Sequence, residues 1–298
     1  MRVLTAGLFL LLFTACGSGN KSEEQAFAET LDHVDLEQQV ISGEVNDILH
    51  RIPSPLEISV LLKESGKKYN GSFLNAPDNA SRYNTNYKKA LNLGIYGTDL
   101  GYTNIYEQSQ DGIRYMSTIR DLANELNIGQ FFETETIGRL VSNSNNLDSL
   151  LLITTQNFNN INSYLQSQNR SHLSVLLLTG GWLEALHITC EVAKSNPDNA
   201  QLKETIGAQK IILDNILHLL SFYKENDRNM ASLLTDMQAL KQSFDKVTIT
   251  TVYKPSTYEV VDGVMVVKDN SSSTVEITKA DIDSIRSTTQ NIRTKIIS

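Results

Sequence analysis

One predicted helix carries four side chains of the kinds that bind metal ions or act as nucleophiles. In the stretch LLLTGGWLEALHITCEVAK, these residues are Glu184, His187, Cys190 and Glu191. Their positions at i, i+3, i+6 and i+7 place all four on one broad face of a helix. A Glu-x-x-His unit on a bundle helix is the building block of ferritin-like di-metal sites. The spacing therefore makes a metal site the first chemical hypothesis.

Further metal ligands would have to come from another helix, because a second Glu-x-x-His unit does not occur in the chain. Asp214 and His218, at i and i+4 on another predicted helix, offer a carboxylate and an imidazole. The metal hypothesis therefore rests on Glu184, His187, Glu191, Asp214 and His218. Burial in the core is the competing interpretation, since the imidazole of His187 falls on the apolar stripe of its own helix.

Catalysis finds less support in the sequence than metal binding. Cys190 also lies on the apolar stripe and has the acidic Glu191 beside it, whereas reactive thiols occupy electropositive, partly exposed surroundings. The chain contains neither a Gly-x-Ser-x-Gly elbow nor a His-Glu-x-x-His motif. We therefore predict a protein with no catalytic residues and no cofactor.

Two adjacent glycines inside the same helix indicate a close approach of some other group. Gly180 and Gly181 precede Trp182, and each glycine costs a helix about 1 kcal/mol relative to alanine. Packing of a neighbouring helix would offset that cost, and so would a bound ligand. Tyr102 and Tyr106, on another predicted helix, complete the candidate ligand pocket, although packing is the favoured explanation.

The elements that must position these side chains are mostly helices. From Pro53 to Asp245, apolar residues recur at steps of three and four, most clearly in residues 147–165, 173–190, 202–223 and 230–244. Each stripe needs a neighbouring helix to cover it, so residues 51–246 are predicted to form an antiparallel multi-helix bundle. The glycines of NLGIYGTDLGY (Gly94, Gly97 and Gly101) are predicted to mark a helix end with close backbone packing, between a shorter and a longer helix.

Beyond Asp245 the apolar period changes from 3.6 to 2. The runs KVTITTVY and YEVVDGVMVV predict strands, and Asp262-Gly263 predicts a two-residue hairpin turn between the halves of the second run. TVEI predicts a further strand, after which Thr278 caps a final helix. The predicted fold class is mainly α, with a small C-terminal β-hairpin appendage and a final helix, residues 247–298, packed on the bundle.

The first residues of the chain indicate its location. Arg2 precedes an apolar run, Val3–Ala15, that is shorter than the ~20 residues of a membrane-spanning helix and typical of a signal peptide. The stretch LFTAC resembles the lipobox of bacterial lipoproteins. This resemblance implies that residues 1–15 are removed as a signal peptide and that Cys16 is lipidated. Residues 16–50 would then form the tether and N-terminal segment.

The body of the chain is similar to an uncharacterised group of helical envelope lipoproteins of Bacteroidota. The similarity rests on IPSPLEISVLLKESG, NYKKALNLGIYGTDLGY and TGGWLEALH, and it brings no activity and no functional residue with it. A glycine after the lipidated cysteine favours the outer membrane, on its periplasmic face or at the cell surface.

Composition narrows the range of partners. The formal net charge of −8, with no block of Lys or Arg, argues against nucleic-acid binding. We therefore predict a non-catalytic, lipid-anchored envelope protein that contacts the membrane through Cys16 and binds a partner protein or a small ligand. The alternatives are a metal-binding protein that uses Glu184 and His187, and a purely structural envelope subunit.

Overall fold

The computed structural model describes residues 43–49, 52, 58, 61–63, 65–133, 146–261, 264–268 and 270–298. All of them fall within the unit Ser42–Ser298. The predicted signal peptide and the lipidation site at Cys16 lie outside the described residues.

Helices dominate the structure, which confirms the predicted mainly α fold. The α-helices, in chain order, are α1 (Asn86–Ile105), α2 (Ser109–Glu125), α3 (Leu147–Ser167), α4 (Ser171–Lys194), α5 (Ala200–Ser221), α6 (Arg228–Ser243) and α7 (Lys279–Ile297). Residues 43–49 are also helical, and short 3-10 helices span Gly71–Phe73, Pro77–Arg82 and Gly129–Phe132. The strands are β1 (Thr248–Val252), β2 (Thr257–Val261), β3 (Val264–Lys268) and β4 (Ser272–Glu276).

Helix α4 forms the centre of the bundle. It packs most extensively against α1 and also contacts α3, α5 and α7. Every residue from Leu173 to Cys190 is buried, so the helix is enclosed on all sides and not only along its predicted stripe. Among the described helices, α4 alone has the length and apolar composition to cross a membrane, but its apolar window is 100% buried inside the fold.

Glycines allow α1 and α4 to cross with their backbones in contact. A Cβ atom added at Gly94 would lie 2.0 Å from the Leu177 carbonyl oxygen, and one added at Gly180 would lie 2.0 Å from that of Leu91. The contact with α4 stabilises the helical conformation of the glycine-containing part of α1. Helix α1 runs without a break from Asn86 to Ile105. The close backbone packing predicted for these glycines is confirmed at Gly94. The predicted helix end is wrong, because the tertiary contact outweighs the low helix propensity of glycine.

The C-terminal region follows the predicted order of strands and helix. Strand β2 pairs with β3 in an antiparallel hairpin whose register sets Val261 opposite Val264. Strand β1 pairs with β4 at the base of this β arm (residues 248–276), and both strands contact α5. Helix α7 begins with a capping box between Thr278 and Asp281 and packs on α4 and α6. Its predicted apolar stripe is buried as expected, at Ile282, Ile285, Thr289, Ile292 and Ile296.

Candidate functional site

Four of the five residues of the metal hypothesis are engaged in separate ion pairs, and His187 contacts a backbone carbonyl instead. On α4, Glu184 accepts two hydrogen bonds from Arg293 of α7, one of them from Nη2 to Oε1 at 2.6 Å. Two turns away along each helix, the Glu191 Oε1 atom of α4 lies 3.1 Å from Arg286 Nη1 of α7. These two pairs join α4 to the antiparallel α7.

The two ligands expected from the second helix are paired elsewhere. Asp214 Oδ1 lies 2.6 Å from Lys241 Nζ, and His218 Nε2 lies 3.0 Å from Glu44 Oε1. In the part of the chain that the structure describes, His, Cys, Asp and Glu form no group of three or more able to hold a metal ion. The structure therefore does not bring the five predicted ligands together.

A buried carboxyl group that the sequence analysis missed completes the cluster at Glu184. Asp99 of α1 is fully buried, and its Oδ2 atom accepts a hydrogen bond from the backbone N–H of Asn75 at 3.1 Å. Burial, together with the nearby charge of Glu184, raises the pKa of Asp99 well above its usual value, against the opposing effect of Arg293. The Oδ1 atom of Asp99 has no hydrogen-bond partner among the described residues, and its burial favours the neutral form of the carboxyl group.

The neighbouring His187 is neutral. Its Nε2 lies 3.2 Å from the Phe73 carbonyl oxygen, which can only accept, so Nε2 carries the proton. Burial lowers the pKa of His187, which keeps the ring uncharged. Cys190 is completely buried and burial raises its thiol pKa, so it behaves as a core residue.

A pocket lies on the other side of the α1–α4 crossing. It has a volume of about 230 Å³ and is called the glycine pocket here because Gly94, Gly97 and Gly101 of α1 and Gly181 of α4 line it. The rest of the described lining is mainly apolar and comes from other residues of α1, from α2, α3 and α4, from residues 49 and 52, and from Phe132. Those apolar side chains are Leu49, Ile52, Leu93, Leu100, Met116, Ile119, Phe132, Ile153, Phe158, Ile161, Leu177 and Leu178.

Of the five residues predicted for a ligand pocket, the structure places Gly181 at the glycine pocket and the others elsewhere. Gly180 packs against α1, as described above. Trp182 points toward α5, where its Nε1–H donates to Gln209 Oε1 at 2.8 Å. The rings of Tyr102 and Tyr106 contact each other in a tilted arrangement with centroids 4.9 Å apart, and the Tyr106 hydroxyl donates to the Leu62 carbonyl at 3.0 Å.

The glycines of the pocket differ in what they do for the fold. Gly94 has no room for a side chain, whereas a Cβ atom added at Gly97 would meet no atom within 4 Å. The absence of a side chain at Gly97 therefore adds volume to the pocket and serves no close packing contact. The run of glycines at steps of three and four in NLGIYGTDLGY is the sequence signal that could have located the pocket.

Comparisons with protein-family models, with curated proteins and with solved structures found no match to this chain.

Proposed function

We propose that this chain is a lipid-anchored protein of the bacterial cell envelope whose helical bundle binds a small apolar ligand in the glycine pocket. The pocket volume of about 230 Å³ and its mainly apolar lining support ligand binding. The lipobox-like stretch before Cys16 supports the anchor, and the glycine that follows supports the outer membrane as its location.

Gly97 is the single observation that carries the ligand proposal. A glycine inside a helix costs about 1 kcal/mol relative to alanine, and at Gly94 the crossing with α4 explains that cost. Gly97 is exposed and a methyl group there would touch nothing, so packing provides no reason for glycine at this position. Because Gly97 also lines the pocket, a side chain there would occupy the solvent-facing side of the pocket, which glycine leaves open.

Binding without chemical conversion fits the lining residues. The lining residues that the structure describes include no Asp, Glu, His, Cys, Ser, Tyr, Lys or Arg. These described residues therefore supply no general acid, general base or activated nucleophile to the pocket. The buried carboxyl groups of Asp99 and Glu184 face Arg293 instead.

A titration with a neutral apolar fluorophore tests the proposal. N-phenyl-1-naphthylamine gains fluorescence on entering an apolar pocket, and we expect saturable binding to the wild type. The substitution Gly97→Leu should fill the pocket and abolish this binding while the thermal unfolding midpoint is kept.

Gly43→Leu is the matched control, because Gly43 is exposed, lies in a helical segment, and also has no atom within 4 Å of an added Cβ. This variant should bind the fluorophore like the wild type. Binding that is equal in the wild type and Gly97→Leu would show that the fluorophore binds elsewhere, and would refute the assignment of the pocket.

The membrane anchor is tested separately at Cys16. In a bacterial host fed a radiolabelled fatty acid, we expect the wild type to carry label and to sediment with membranes. A Cys16→Ala variant should lose both properties. Equal labelling of the two variants would contradict the lipidation of Cys16.

Binding of a partner protein is a second candidate function, and the β arm favours it. Its outer part exposes large apolar side chains, including Tyr253 at 85%, Tyr258 at 70% and Met265 at 67%. Patches of this kind on a monomer typically mark interaction sites.

A photo-crosslinking amino acid at position 258 should capture one defined envelope protein in the host, whereas the same group at the equally exposed Ile113 of α2 should not. The same capture at both positions would remove the support for this function.

A further inference from the structure

The described lining of the glycine pocket carries no formal charge, and this points to the class of ligand. We propose that the pocket selects uncharged apolar molecules with a neutral hydrogen-bonding group, such as a fatty alcohol or ester, over carboxylates and ammonium ions. This inference rests on the proposed function, because it names the chemistry of the ligand for that same pocket.

A charged headgroup inside the pocket would lose its hydration without gaining a partner. Among the lining residues that the structure describes, the polar side chains are threonines and asparagines, and none is ionisable at neutral pH. An ion taken out of water is tolerated only where an opposite charge or several hydrogen bonds replace the solvent. The described lining provides no opposite charge.

The ionic cluster on the other side of the α1–α4 crossing does not supply the missing charge. Thr98 and Leu100 line the pocket, whereas Asp99 between them is directed to Glu184 and Arg293. Within that cluster, Glu184 pairs with Arg293 through two hydrogen bonds, and the raised pKa of Asp99 favours its neutral form. None of these three residues lines the pocket, so their charges are directed to one another and not to a ligand.

The polar side chains of the lining suit a neutral polar group. The Thr98 hydroxyl already donates to the Gly181 carbonyl oxygen at 2.9 Å. Asn104, Asn157 and Asn159 contribute half-buried amides, each of which combines a donor and an acceptor without a charge. A hydroxyl or ester group can exchange hydrogen bonds with such amides.

The volume limits the ligand to a small molecule or a single chain. An apolar cavity of about 150 Å³ accepts benzene in a well-studied engineered protein. The glycine pocket, at about 230 Å³, is about half as large again. A ten-carbon chain is therefore a suitable probe length.

Displacement of N-phenyl-1-naphthylamine by three ten-carbon compounds tests the inference. The compounds are 1-decanol, decanoate and decylammonium, used with the full-length protein at neutral pH and below their aggregation limits. We expect 1-decanol to displace the fluorophore at a concentration at least 100-fold lower than either ion. We also expect decanoate to displace the fluorophore at lower concentrations as the pH is lowered toward the pKa of its own carboxyl group.

The outcomes separate this inference from the proposed function. One outcome is that Gly97→Leu abolishes fluorophore binding, but decanoate or decylammonium displaces the fluorophore as well as 1-decanol does. This result would support ligand binding in the pocket and would overturn the selection against charged ligands. If 1-decanol fails to compete, the inference is overturned as well. If the fluorophore does not bind the wild type, the proposed function itself fails.

Discussion

Replacement of Asp99 by asparagine should stabilise the protein, and more so as the pH rises. The raised pKa of Asp99 means that the folded state keeps a proton that the unfolded chain loses above its usual pKa of about 3.9. The contribution of Asp99 to the free energy of unfolding of the wild type therefore falls with rising pH, by about 1.4 kcal/mol per pH unit for one proton. This fall ends only when the pH passes the pKa of the folded state.

The Asp99→Asn variant carries no titrating group at this position. Its amide oxygen can accept the hydrogen bond from the Asn75 N–H, and the amide, like a neutral carboxyl group, places no negative charge beside Glu184. The stability difference between the variant and the wild type should thus grow by about 1.4 kcal/mol per pH unit above the usual Asp pKa. The groups that face Asp99, namely Glu184 and Arg293, are present in both proteins.

Urea unfolding at a series of pH values measures this difference. Trp182 is the only tryptophan of the chain and is 3% exposed, so its fluorescence reports unfolding of the core. Asp121→Asn, an exposed position on α2, serves as the matched control and should change stability by no more than about 0.5 kcal/mol at any pH. A constant destabilisation by Asp99→Asn across the series would refute a protonated Asp99.

Three further predictions concern the same packed region. Gly97→Ala should raise the free energy of unfolding by up to about 1 kcal/mol, whereas Gly94→Ala should lower it by about 1–3 kcal/mol because its methyl group overlaps the backbone of α4. Urea titrations that give both changes the same sign would contradict the packing argument. The double variant Asp99→Asn/Glu184→Gln should lower the free energy of unfolding by about 3–5 kcal/mol in the same titrations, because it leaves the buried Arg293 guanidinium without a carboxylate. A decrease below about 1 kcal/mol would contradict this prediction. Cys190, buried and with a raised pKa, should resist a thiol reagent in the folded protein and react once urea unfolds it; rapid labelling of the folded protein would contradict its burial.

The helices and the β arm followed from local patterns, because periodicity and turn chemistry act over a few residues. The final helix shows this well, since its apolar stripe from Ile282 to Ile296 is buried and Thr278 forms the cap. The uninterrupted α1 could not be predicted in the same way. Its continuity depends on the contact of Gly94 with Leu177, which lies on a different helix.

The chemistry of the site was harder to predict than the fold. Glu184 stood out as a metal ligand because of its spacing from His187, but its actual partner is Arg293, 109 residues further along the chain. Asp99 could not be identified from the sequence, because nothing near it in the chain predicts that it is buried beside another carboxyl group. Only the packing of α1, α4 and α7 brings these three residues together.

Native mass spectrometry of the protein, gently extracted from the envelope of its host, tests the central claim most directly. We predict that the wild type carries a non-covalent small-molecule adduct in addition to its lipid anchor. The Gly97→Leu variant should lose this adduct and Gly43→Leu should keep it, with added N-phenyl-1-naphthylamine confirming that bound molecules survive the measurement. A wild type without any adduct under conditions that retain the fluorophore, or an adduct that persists in Gly97→Leu, would contradict ligand binding in the glycine pocket.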